Sequence, residues 1–212
     1  MAATFDTATM QQALDWAYDK AVSGIPNSRS DFFGRAEDLA ASYLRIRGTR
    51  SQQVKKLITS HTSAAAATGF VTGLGGIITL PVAIPANIVG VLFAQIRMVA
   101  AIACMGEYDV HDHQVQTLCY ICLCGNSAGE ILKGVGVQAS TKIAQRAIQQ
   151  IPFAAIKKIN QAVGFRLITK FGTTGVVNLG KALPLVGGVV GGTFDAVSTR
   201  AIGNYAHKMF IE

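Results

Sequence analysis

Between His61 and Arg97 the chain runs for 35 residues, Thr62 to Ile96, without one ionisable side chain. A membrane-spanning helix needs about 20 consecutive apolar residues, so the stretch is long enough to contain one. It is interrupted, however, by Gly73, Gly75, Gly76, Pro81 and Pro85. Proline removes a backbone donor and clashes with the preceding turn, and each glycine weakens a helix by about 1 kcal/mol. The pattern predicts a bent pair of helices broken near 73–85, with arms at Ala64–Thr72 and Ala86–Met105. Gly69 and Gly73 are four apart, a spacing that lets a second helix approach closely. Each arm is short for crossing a bilayer alone. The hairpin therefore reads first as packed core and second as membrane contact.

The same composition returns near the other end of the chain. Val186–Gly192 places Gly187/Gly191 and Gly188/Gly192 at the same four-residue spacing. Two glycine-lined apolar helices, near 86–105 and 184–205, are expected to pack together. Each carries an ion in mid-run, Arg97 in one and Asp195 in the other. A buried unpaired charge is costly, which predicts that these two meet. With Gln95, Thr199 and Arg200 they make a candidate polar site in an apolar core.

The rest of the chain reads as helices. Met10, Leu14, Ala17 and Ala21 recur at helical spacing and stop at Gly24 and Pro26. Ser30 is placed to cap a second helix carrying Phe33, Leu39, Tyr43 and Leu44 toward the core, ending near Gly48. Ser51 is placed to cap a third, through Val54, Leu57, Ile58 and His61. Asp109 or Asp112 starts another, and further helices fit 138–150, 152–171 and 184–210. No alternating strand pattern appears. An all-α fold follows, a single domain of seven to nine helices around two glycine-rich ones.

Charge adds a second constraint. Only 15% of the residues are charged, against about 25% in ordinary soluble domains, and the mean hydropathy is +0.35. Either the core is large or some apolar surface faces lipid or a partner. The net charge is +7, and from Ile131 to Thr193 there is no acid but eight Lys and Arg. Such a segment favours a polyanionic surface. Nucleic acid is disfavoured, because the few aromatics do not interleave with the basic residues. In 152–171 the stripe Ile156, Ile159, Val163, Leu167 and Phe171 faces inward, with Lys157, Lys158, Gln161 and Lys170 largely off it. Lys157, Lys158, Arg166 and Lys170 are thus the candidate contacts to an anionic membrane surface.

Three motif matches lack their context. Gly125-Asn-Ser-Ala-Gly129 has the G-x-S-x-G form of a hydrolase elbow, and Asp195 and His207 follow Ser127 in triad order, but the strand and parallel sheet are missing. Gly175–Lys181 matches a phosphate loop, yet Ala182 stands where magnesium needs Ser or Thr. His111, His113, Cys119, Cys122 and Cys124 offer soft donors, but the cysteines fall inside an apolar helix, where they act as small hydrophobes. No cofactor, metal or catalytic residue is expected. The clustered cysteines point to a reducing compartment, and residues 1–24 lack the apolar core of a secretory signal.

Thr68–Gly76, Thr79–Ala86, Gln95–Arg97 and Ala100–Ala103 together resemble the bacterial EcsC family. So do Gly164–Lys170, Gly175–Lys181, Pro184–Gly192, Phe194–Ala196, Thr199–Gly203 and Ala206. The resemblance spans about 35–210. It implies a helical accessory protein, membrane-associated and linked to an ABC transporter, and it supplies no catalytic residues. The combined expectation is a non-catalytic, lipid-binding protein at the inner face of the cytoplasmic membrane, with a membrane transporter as a further partner. A serine hydrolase using Ser127 and a soluble helical scaffold are the alternatives.

Overall fold

A computed structural model of the chain describes residues 6–26, 31–68, 84, 86–134, 136, 151–171 and 187–212. The described residues form eight α-helices, two short 3-10 turns and no strand. The phosphate-loop match, the 138–150 helix, the Gly73–Pro81 part of the break, the Gly69/Gly73 pair and Ser30 lie outside them.

Local chemistry sets the helix ends. Helix α1 (Thr7–Ser23) begins at Asp6, whose carboxylate accepts from the Thr9 amide at 2.8 Å, and it stops at Gly24, where φ is +78°. A 3-10 turn, Asp31–Phe33, leads into α2 (Ala36–Leu44). Leu44 is exposed rather than core-facing, because α2 ends there instead of running on to Gly48. Helix α3 (Arg50–Thr68) opens on a reciprocal cap: the Gln52 amide donates to Thr49 Oγ1 at 3.3 Å, and Gln52 Oε1 accepts from the Thr49 amide at 2.9 Å. Thr49, two residues earlier than the expected Ser51, is thus the capping residue.

Helix α4 (Ala86–Met105) is followed by α5 (His113–Cys122), capped by Asp112 through the Gln114 amide. A second 3-10 turn, Gly125–Ser127, joins the short α6 (Ala128–Gly134). Helices α7 (Phe153–Phe171) and α8 (Gly187–Phe210) complete the series.

Helix α4 is the axis of the molecule. It packs against α1, α2, α3, α5 and α8. The segment Ile88–Met105 has the length and apolarity to cross a membrane, but 94% of it is buried inside the structure. Its side chains are walled in by the protein itself. The paired glycine-rich helices do touch, yet α8 packs more extensively on α3. Gly203 explains this closeness: a Cβ there would lie 2.8 and 2.9 Å from Ile58 Cγ1 and Cγ2. Gly203→Ala is expected to lower the unfolding free energy by about 1–2 kcal/mol through overpacking, read from urea denaturation. The pair Gly203→Ala/Ile58→Val should recover part of that loss. A single variant as stable as the wild type would remove Gly203 from this role.

Candidate functional site

Two polar residues in the middle of α4, Gln95 and Arg97, face opposite ways. Gln95 and Arg97 are two positions apart, about 200° around a helix. Gln95 is buried on the side of α8, and its Nε2 donates to Thr199 Oγ1 at 3.2 Å and Ser198 Oγ at 3.4 Å. Arg97, only 5% exposed, reaches the other way. Its guanidinium donates to the backbone carbonyls of Gly34 at 2.5 Å and Asp31 at 2.8 Å, fastening the first 3-10 turn to α4. Phe32 and Phe33 of that turn stack edge-on, 5.1 Å apart, and both lie within 6 Å of Phe93 on α4. Burial pushes the Arg97 guanidinium down to about 10, with Asp38 and Asp31 opposing the shift, so it stays charged at neutral pH.

The expected Arg97–Asp195 pair is therefore not formed. Gln95 and Thr199 do meet, but Arg97 belongs to a separate network. Arg200 is exposed and takes no part in either. The charged neighbour of Asp195 is Lys170, which offsets part of the upward shift that burial gives that carboxyl.

Lys170 also corrects the reading of α7. It falls three residues after Leu167 and seven after Val163, on the buried stripe rather than off it. Its Nζ donates to Ser198 Oγ at 2.6 Å and lies 5.0 Å from the centre of the Phe171 ring. Burial pushes the ammonium down to about 8, although Cys124 and Asp195 pull it upward. Lys170 is thus an inward-facing cation and not a surface contact. Lys157 and Lys158 are exposed as expected. Arg166 sits at the edge, donating to Ser127 Oγ at 2.8 Å and pairing with Glu130 at 3.2 Å.

These groups border a cleft of about 430 Å³ between α7, α8 and the Gly125–Ser127 turn. Arg166 and Lys170 supply two cations, Ser127, Thr169 and Ser198 three hydroxyls, and no carboxylate lines the walls. A larger cleft of about 720 Å³ lies among α1, α5 and α7, bordered by Asp15, Gln116, Phe153, Lys157 and Asn160. There the charges are of mixed sign and do not converge.

The helical fold also rearranges the hydrolase constellation. Ser127 lies on a 3-10 turn with Arg166 as its partner, while the His207 ring faces Glu212 at 3.4 Å. Ser127 therefore has no imidazole base. Cys119 and Cys122 are fully buried, and burial pushes their thiols far up, which makes them poor nucleophiles and ligands. His111 and His113 are exposed, near Glu37 and Gln116 respectively. No group of three His, Cys, Asp or Glu side chains among the described residues is arranged to hold a metal ion.

A model of the EcsC protein family matches residues 6–211. The chain belongs to the EcsC family. No curated protein and no solved structure shows a significant similarity to it. The family match reaches α1, farther toward the amino terminus than the blocks quoted above. This EcsC chain therefore has its whole set of described helices inside the family region. Lys170 and Ser198 fall within it, and their hydrogen bond joins α7 to α8 across 28 residues of sequence. Side-chain spacing within one helix could have shown that Lys170 faces inward. Nothing in the sequence announces Ser198 as its partner.

Proposed function

We propose that this EcsC-family protein is a non-catalytic peripheral protein that binds anionic lipid through the outward face of α7. The observation that carries this reading is a pair of phenylalanines left in solvent. Phe153 is 82% exposed and Phe165 is 65% exposed. With Lys157 and Lys158 they occupy an arc of about 140° on α7. Aromatic rings beside lysines are the chemistry of an interfacial helix, since the rings enter the headgroup region while the ammonium groups meet lipid phosphates. Helix α7 also falls within the acid-free run from Ile131 to Thr193, so its own charges are all positive.

Burial of α4 supports surface attachment over insertion of that helix. Attachment at the inner face of the cytoplasmic membrane also suits the transporter partner that the family resemblance implies.

Flotation with phosphatidylglycerol vesicles tests the reading. The wild-type protein is expected to float at 50 mM salt and to be released at about 500 mM, because screening shortens the reach of surface charge. Lys157→Gln/Lys158→Gln should weaken partitioning about 30-fold, at about 1 kcal/mol for each basic residue near an anionic surface. Phe153→Ser/Phe165→Ser should weaken it at 50 mM salt, although the charge is unchanged. A wild-type protein that stays at the bottom of the gradient at 50 mM salt sinks the proposal.

A further inference from the structure

We propose that the cleft between α7, α8 and the Gly125–Ser127 turn binds a phosphate group, held by Arg166, Lys170 and the hydroxyls of Ser127 and Ser198. As a lipid headgroup site it rests on the surface reading above, although the chemistry of the cleft makes a separate case.

Four donors border a space of about 430 Å³ whose lining carries no carboxylate, and Glu130, just outside it, pairs with Arg166 at 3.2 Å. Lys170 is hydrogen-bonded to a neutral hydroxyl, and no carboxylate oxygen among the described residues comes within 4.0 Å of its Nζ. A largely desolvated cation that is hydrogen-bonded to a neutral hydroxyl, with Asp195 acting on it from beyond ion-pair distance, gains from an incoming anion. Ser198 Oγ already accepts from Lys170 Nζ and Gln95 Nε2, which leaves its own hydrogen to donate. Ser127 Oγ accepts from Arg166 and is placed in the same way. Two hydroxyl donors, a planar guanidinium and a point-charge ammonium suit a tetrahedral oxyanion with several acceptor oxygens.

The rim says what else the ligand carries. Val197 lines the cleft and is 71% exposed, with Ala201 and Ile202 beside it in the same wall. An apolar rim around a cationic cleft fits a phosphate attached to a hydrocarbon group.

Binding also depends on pH. The ammonium of Lys170 is surrounded by Cys124 at the end of α5, Asp195 on α8 and Arg166 on its own helix. Lys170 is pushed down to about 8, so the cleft loses this charge between pH 7 and pH 9.5. A bound phosphate stabilises the protonated form, so binding at pH 8 takes up protons.

The test titrates the full chain by calorimetry with two probes, inorganic phosphate and dihexanoylphosphatidic acid below its micellar concentration. Saturable 1:1 binding is expected at pH 7. Lys170→Met, which keeps the apolar stem, and Arg166→Gln, which changes an exposed side chain, should each weaken it at least about tenfold. If only the short-chain lipid binds, the phosphate comes from a lipid. Equal binding of both probes supports the cleft with free phosphate as the source. No saturable binding of either probe, or binding undiminished in both variants, overturns the proposal. The Phe153→Ser/Phe165→Ser protein separates the two readings, because it should lose flotation and still bind the soluble probes. Flotation without soluble binding leaves the surface reading standing and removes the cleft.

Discussion

Arg97→Met should lower the unfolding free energy by roughly 3 kcal/mol, from the loss of two part-buried hydrogen bonds to a charged donor at about 1.5–3 kcal/mol each. The guanidinium holds the Gly34 and Asp31 carbonyls from a helix that is otherwise apolar on that side. Methionine fills similar volume, so cavity formation contributes little. Arg97→Lys should recover only part of the loss, because one ammonium cannot copy the planar fork that meets both oxygens. Urea unfolding gives the magnitude, and hydrogen exchange locates it: protection should fall first at the Asp31–Phe33 turn. A methionine variant within about 0.5 kcal/mol of the wild type would refute the clamp. In a double-mutant cycle, Arg97→Ala and Asp195→Ala should be additive, since they belong to separate networks.

Acid should remove about 3 kcal/mol of stability through His61 alone. This residue is buried on α3, and its Nδ1 lies 3.2 Å from the Leu57 carbonyl. Burial first, and the charge of Arg97 as a smaller influence, push its imidazole down to about 4, although the Leu57 hydrogen bond opposes the shift. An unfolded histidine titrates near 6.5. Between those values the unfolded chain binds a proton that the folded chain refuses, so stability rises with pH across the window. The contribution is intact above about pH 6.5 and is lost progressively as pH falls toward 4. His61→Leu should flatten this part of the curve. The decisive quantity is the difference between wild-type and variant unfolding free energies at pH 7.0, 5.5 and 4.5. The other groups, His207 included, titrate alike in both proteins and cancel. Parallel curves would show that His61 does not carry the effect.

Much of the helical frame was legible because helix boundaries are local chemistry. Gly24 and Asp112 mark their ends in the sequence as they do in the structure, and Ala86–Met105 is the span the apolar pattern predicts. The rotation of a helix among its neighbours is a different matter. Arg97 and Asp195 were natural partners on composition, but a two-residue step from Gln95 points Arg97 away from α8. Which neighbour waits there depends on the turn at Asp31–Phe33, more than 60 residues earlier in the chain. Hydropathy likewise scores Ile88–Met105 as apolar without saying whether lipid or protein surrounds it. Lys170 is the instructive miss. The spacing Ile156, Ile159, Val163, Leu167, Lys170 continues the buried stripe, but a charged side chain by itself suggests a solvent-facing position. The exposure of Phe153 and Phe165 is hidden in the sequence for the opposite reason, since aromatic residues ordinarily belong to a core.

Covering α4 also imposes an order of events during synthesis. Its walls α1, α2 and α3 are made before it, but α8 begins at Gly187, about 80 residues after Met105. At the usual 5–20 residues per second, the ribosome needs roughly 4–16 s to reach the start of that last wall. Throughout this interval the nascent chain displays a side of an apolar helix that meets the length and hydropathy of a membrane signal. The newborn protein therefore passes through a stage at which a targeting receptor or chaperone can bind α4, before the finished fold conceals it.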